Sequence, residues 1–337
     1  MSMPQSRLAA VHACAPAPRG LAIGDMRGHG RVTADAALAS LALDRQAGLL
    51  RPSHPERALL SLQMDGDVHW VSAYVPGTNV LETVGHAEGA ELRVADFMAV
   101  AEGRPGQAEA VAAGRFVRII TCTEGEASFR LVCAAQLASA GKHEAQAVDG
   151  WYLASSRPLG TGADVVATHV RLAAGESVAF VISGTPLEGG PALSATALHA
   201  LGETIHYWTW WSDRCRYKGE DFDQRLRDAL GLKLAFGEGT FHADEPGVAG
   251  FMPAPLGNAT RAAATFLALG YRGECAALLV QAYGTEGSVH DRWSSDALFR
   301  QTLEAYVLRY GTLGLPDVLR AAAEAQESIV QCTKCMA

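Results

Sequence analysis

No apolar run in this chain approaches the roughly eighteen residues that a membrane-spanning helix needs. A membrane partner is therefore not expected. Positive charge is also in short supply: 28 Lys and Arg against 36 Asp and Glu leave a formal net charge of −8, with the basic residues scattered. No stripe is available to neutralise phosphates, so nucleic acid is not expected as a partner either. The opening "MSMPQSRLAAVHACAPAPRG" lacks a basic segment followed by an apolar one, which points to a cytoplasmic location. Seven cysteines (Cys14, Cys122, Cys133, Cys215, Cys275, Cys332, Cys335) form an odd, dispersed set, as expected of reduced thiols rather than a disulfide framework. Cys332 and Cys335 have zinc-like spacing without a second Cys/His pair to complete four ligands. His12, His54, His69, His86, His143 and His199 are equally dispersed, and neither a metal nor a cofactor is expected. A Gly-x-Ser-x-Gly elbow is absent, and "MRGHGR" (26–31) lacks the third glycine of a nucleotide loop, so it reads as a tight turn.

What remains is a chain of 337 residues, 49% hydrophobic, long enough to bury two cores. Between about 20 and 187 it reads as short strands separated by Gly, Pro and Asp: "ALLSLQM", "VHWVSAYV", "NVLETVGH", "AELRVADFMAV", "GRFVRIIT", "ASFRLVCAA", "GWYLAS", "DVVATHVRL" and "SVAFVIS". Their spacing of about ten residues predicts an antiparallel sandwich. "QMDGDV" and "TEGEA" are expected to close hairpins, and "EGRPGQAEAVAAG" (102–114) to form a loop.

"GTPLEGGPALS" (184–194) has no periodicity, and beyond it the period changes from two to 3.6. Leu198, Leu201, Ile205, Trp208 and Trp211 predict one helical stripe; Phe222, Leu226, Leu230 and Leu234 predict a second, opened by acidic "GED". Further helices are predicted at about 258–269, 273–283, 295–310 and 316–331, the third of these carrying a stripe of Phe299, Leu303, Tyr306 and Tyr310. The resulting organisation is a tail (1–19), a β-sandwich domain (20–187), a linker (188–194), a helical domain (195–331) and a second tail (332–337). Trp208 and Trp211 lie on the stripe and are expected in the core. Trp210 falls off it and is the tryptophan of this segment open to a groove, although an aromatic at helical spacing is more often core than site.

Several segments resemble the N-terminal β-sandwich of glycoside hydrolase family 15, the glucoamylase and trehalase-like enzymes: "AYVPGTNVLETV", "ELRVADFMAV", "LAIGDMRGHGRVTADAALASLALDR" and "RFVRIITCTEGEASFRL". "YWTWWSDRCRYKGEDFDQRLRDALGLKLAF" is similar to that family's linker and first barrel helix, so the resemblance runs from about 20 to 240. It implies an α+β, two-domain protein in which an antiparallel β-sandwich is followed by an incomplete α/α-barrel-like helical domain. The family's barrel has twelve helices, whereas the stretch after 194 holds about eight at typical helix and loop lengths. Either a reduced helical array or a homodimer is implied. Beyond 240, "TFLALGYRGECAALLV" is similar to a family helix, but the Trp-Asp-Tyr-Arg and Trp-x-Arg-Asp boxes that clamp the sugar are absent.

The activity implied is hydrolysis of an α-glucoside by paired acid/base groups. Glu245, Asp291 and His290 are the catalytic candidates; His242, Asp244, Glu286, Trp293, Asp296 and Trp210 are the substrate-binding candidates. "TEGSVHDRWSSDALF" brings an acid, a base that titrates near neutrality and an aromatic into one loop leading to a helix. Ser294, Ser295 or Asp296 equally suits the cap of that helix. Two other readings stay open: a repurposed enzyme acting on a small metabolite between sandwich and helices, and a binding or dimerising protein without turnover. The partner is a small-molecule ligand, a sugar in the first reading, and in the last a second copy of the chain as well.

Overall fold

The computed structural model describes residues 21–44, 49–50, 52, 57–101, 111–161, 166–237, 240–241, 259–284, 297–312, 315, 317 and 319–321. Its first half is built from strands β1 (Leu21–Gly24), β2 (His29–Val32), β3 (Leu38–Ala42), β4 (Leu60–Met64), β5 (His69–Tyr74), β6 (Leu81–Ala87) and β7 (Ala90–Ala101). There follow β8 (Val111–Cys133), β9 (Leu137–Ser139), β10 (Glu144–Ala147), β11 (Tyr152–Ser155), β12 (Gly160–Thr161), β13 (Val166–Ala173) and β14 (Ser177–Ser183). Alternating side chains create these strands: in β13, Val166, Thr168, Val170 and Leu172 are buried while His169, Arg171 and Ala173 are exposed.

Every pairing is antiparallel, and the strands form two layers that share β8. One layer runs β1-β2-β3-β4-β8-β13-β12; the other runs β5-β6-β7-β8-β14-β11-β10-β9. Residues 115–121 of β8 pair with β14 in the second layer, and residues 126–133 pair with β13 in the first. The strand therefore changes sheets at 122–126, a corner of the kind that joins packed sheets. Gly125 makes the corner with φ of +70°, and a Cβ there would lie 1.9 Å from the Gly89 carbonyl oxygen. Between the layers lies a core that includes Ile23, Leu38, Leu81, Phe116, Ile120, Phe129, Val170 and Phe180.

The local readings of two turns need correcting. "TEGEA" closes no hairpin; it is the sheet-changing corner of one long strand. "QMDGDV" does turn, with Gly66 at φ of +82°, but β4 pairs with β3 and β8 while β5 pairs with β6, so the turn links two layers instead of two neighbours. Residues 111–114 of the expected loop belong to β8; 102–110 lie outside the described residues. "MRGHGR" does contain the tight turn, between β1 and β2, with Met26 at φ of 70°.

The second half contains helices α1 (Ala192–Asp213), α2 (Phe222–Ala235), α3 (Ala259–Leu269), α4 (Arg272–Gly284) and α5 (Ala297–Tyr310), with a small hairpin of β15 (Phe236–Gly237) and β16 (Thr240–Phe241) after α2. Residues 317 and 319–321 are also helical. The first turn of α1 starts before the expected 195. Its early part lies on the second sheet, where Leu193 and Ala197 cluster with Val80, Phe97, Val117, Ile119 and Val181. Leu198 is 46% exposed, but Leu201 and Ile205 pack partly buried against this cluster and Trp208 and Trp211 are buried, so the expected stripe holds apart from Leu198 and is joined by Leu193, Ala197 and Thr204. Leu193, Ala197, Thr204, Trp208 and Trp211 follow one another at steps of four, seven, four and three residues, which keeps them on one side of the helix. The late part of α1 enters the helical core, where Trp208 and Trp211 pack with Leu230, Phe266, Tyr271, Phe299, Leu303 and Tyr306. Ala22 of β1 and Val100 of β7 belong to the same cluster, so sandwich and helices share packing.

Candidate active site at the helical junction

Of the sequence-derived candidates, Trp210 is described; His242, Asp244, Glu245, Glu286, His290, Asp291, Trp293 and Asp296 lie outside the described residues. So do Cys332 and Cys335. Among the described residues, the helical core has a buried carboxylate at the junction of α1, α2 and α4, and the site is built around it.

α4 contributes that group. Glu274 is the only carboxylate in the stretch 259–284 and is 5% exposed. Trp211 of α1 donates its indole N–H to Oε1 at 2.8 Å, Lys233 of α2 donates to the same oxygen at 3.2 Å, and Arg214 donates to Oε2 at 3.3 Å. Burial opposes ionisation of Glu274, but the Lys233 and Arg214 charges and the Trp211 hydrogen bond outweigh it and hold the carboxyl below its usual range. Glu274 is thus an anchoring anion. A group held ionised cannot deliver a proton as a general acid.

Aromatic stacking fixes the rest. Trp211 lies flat on Tyr271, with centroids 4.1 Å apart at 7°, and meets Trp208 and Phe266 edge-on at 6.2 and 6.3 Å. Arg214 follows α1 and places its guanidinium 5.2 Å from the Trp210 centroid and 5.9 Å from that of Tyr271. Trp210 itself is 44% exposed. The outward end of the cluster is therefore an indole with a cation across its face, backed by buried rings. Such a surface offers a stacking plane beside hydrogen-bond donors, a combination suited to a ring that has both C–H and hydroxyl groups.

The seam next to it is also polar. The loop between β5 and β6 docks on α1 and α2: Ser212 donates to the Gly77 carbonyl at 2.6 Å and Asn79 donates to the Leu230 carbonyl at 3.2 Å. Arg227 donates to the Thr78 carbonyl at 2.7 Å and to the Asn79 side chain, with its guanidinium 4.0 Å from the Tyr74 centroid. These residues belong to "AYVPGTNVLETV", and through them that motif joins the two halves of the chain.

Two other buried carboxylates serve the sandwich. Asp25 accepts hydrogen bonds from the amides of Arg27 (3.0 Å), Gly28 (2.7 Å) and Gly114 (3.0 Å). Burial pushes it up to about 6, against those amides and the Arg27 charge. Asp96 makes a two-pronged pair with Arg118 at 2.7 Å for each contact, both fully buried. Cys122, Cys133, Cys215 and Cys275 are buried free thiols, and among the described residues no three His, Cys, Asp or Glu gather as metal ligands. Among the described residues no helix is long and apolar enough to cross a membrane.

The Glu274 cluster escapes sequence reading because Lys233, Arg214 and Trp211 are 41, 60 and 63 residues away. The available signal is one acid in an otherwise apolar helix, which needs buried partners to be tolerated.

No family model matches the chain, and no curated protein matches it. Among solved structures it is similar to "Putative kojibiose phosphorylase from human microbiome", at a TM-score of 0.38 and 7% identity over 85% of this chain. The match covers 48% of that protein, so this chain spans about half its length.

Proposed function

We propose that the chain is a shortened relative of glycoside hydrolase family 15 that binds an α-glucoside at the helical junction and hydrolyses it. The observation that carries this reading is the half-exposed Trp210 with Arg214 across its face, held from behind by Glu274. The sugar ring stacks on Trp210 while Arg214 donates to a hydroxyl. Catalysis falls to Glu245, Asp291 and His290, because Glu274 is already ionised and shared between two cations. Inversion requires carboxyl groups about 6.5 to 9.5 Å apart. The ionised group takes a proton from the attacking water, the water oxygen bonds to the anomeric carbon as the bond from that carbon to the leaving oxygen breaks, and the protonated group passes its proton to the leaving oxygen. The test is release of glucose from maltooligosaccharides and trehalose at enzyme concentrations that reveal one slow turnover. Release that is abolished by Glu245→Gln or Asp291→Asn in a folded protein supports the reading; no release from any of these substrates defeats it.

Binding without turnover is favoured by a separate observation. Every buried carboxylate among the described residues (Asp25, Asp96 and Glu274) is already engaged by amides or cations. This second reading expects the same sugar to bind with no glucose released, and Glu245→Gln and Asp291→Asn to leave binding unchanged.

A further inference from the structure

The outer face of the first sheet has no part in the junction site. Across β4, β8 and β13 the register aligns Gln63 with Arg130 and Arg130 with His169. All three side chains project from the sheet on the side away from the buried Phe129 and Val170, and Gln63, Arg130 and His169 are exposed. Adjacent strands are about 4.8 Å apart, so three donor-bearing side chains stand in one row across the sheet. Ser128 and Arg171 form the next row and Ser61 the row before. Two adjoining hollows follow these rows. One, of about 460 Å³, is lined by Gln63, Asp65, Ser128, Arg130, His169 and Arg171; the other, of about 410 Å³, by Arg57, Ser61, Gln63 and Arg130. They share Gln63 and Arg130.

Several arginines of the sandwich strands already have a carboxylate partner. Arg118 is paired with Asp96, Arg93 with Glu82 and Arg171 with Glu126. Arg130 and Arg57 have no ion pair among the described residues, although the chain carries a net charge of −8. An exposed guanidinium with no ion pair among the described residues, at the shared wall of two hollows and flanked by amide, imidazole and hydroxyl donors, is matched by an external anion. The donors come from three strands, so a tetrahedral oxyanion with several acceptor oxygens engages them better than a planar carboxylate with two. No phenyl, phenol or indole ring is exposed among the lining residues, which argues against a stacked sugar.

We propose that this face binds the phosphate group of a small phosphorylated molecule, with Arg130 as the principal contact and Gln63, His169 and Ser128 as supporting donors. Asp65 borders the hollow and opposes the anion. This inference is independent of the sugar-binding reading, since it concerns the sheet layer that does not carry α1.

The experiment is a calorimetric titration of the full chain with inorganic phosphate and with phenyl phosphate, using acetate as the planar control. Saturable binding of both phosphates is expected, tighter than acetate. Arg130→Gln should weaken phosphate by about tenfold or more, the loss of a charge-assisted contact. Asp65→Asn should strengthen it. Both substitutions are on the exposed face, and an unchanged melting temperature shows that they fold. Trp210→Ala should leave phosphate binding intact, which separates failure here from failure of the sugar site. Absence of saturable phosphate binding, equal affinity for acetate, unchanged affinity in Arg130→Gln or weaker binding in Asp65→Asn would each overturn the proposal.

Discussion

Replacing Glu274 removes the acceptor shared by Trp211, Lys233 and Arg214. Lys233 is then left largely buried without its counter-charge, while Arg214, 39% exposed, can turn to water. Most of the cost therefore arises at Lys233 and the Trp211 N–H, and Glu274→Ala should lose about 3 kcal/mol in urea denaturation. The pH dependence has a definite sign. The folded carboxyl titrates below the ordinary 4.5, so its contribution is present above that value and is lost as pH falls through the lowered one. Glu274→Gln should thus be less stable than wild type near neutrality and should lose less on acidification. Asp25 runs the other way. Its folded value of about 6 lies above 3.8, so its contribution is present below 3.8 and disappears as pH rises through about 6. An acid titration of stability in which wild type and Glu274→Gln run parallel would contradict the assignment.

β8 depends on one backbone position. Gly125→Ala introduces a Cβ into the Gly89 carbonyl at a positive φ, and the contact is backbone to backbone. It should cost more than about 3 kcal/mol and lower the melting temperature sharply. On α1, Leu198→Gln should change stability by less than about 0.5 kcal/mol, because nearly half of the residue already faces water. These two elements also show how far the fold is legible in the sequence. The alternation that marks a strand is visible on both sides of "TEGEA", but a polar run with glycine looks the same whether it reverses the chain or carries it around a corner. Which outcome holds is decided by β13 and β14, about fifty residues later in the chain. The helical period likewise identifies Trp208 and Trp211 as buried and Trp210 as outward, yet Leu198 fits the same period and is exposed. Periodicity gives an apolar stripe; the neighbouring sheet sets where the stripe is cut off.

At the scale of the whole molecule, Ala22 and Val100 sit in the helical core and α1 crosses from the sheet to that core. The described halves should therefore melt together, in one calorimetric transition. Arg227→Met removes the guanidinium that ties Thr78 and Asn79 to α2, leaving their acceptors buried, and should lower stability by about 2 kcal/mol. Two separate transitions in the unmodified protein would show that the seam does not couple the halves.

A sugar site at the Trp210 and Arg214 surface should show itself in isothermal titration with maltotriose and trehalose. Saturable binding of at least one of them is expected, weakened by about tenfold or more in Trp210→Ala at an unchanged melting temperature. Binding of neither sugar, or equal binding by wild type and Trp210→Ala, would contradict it.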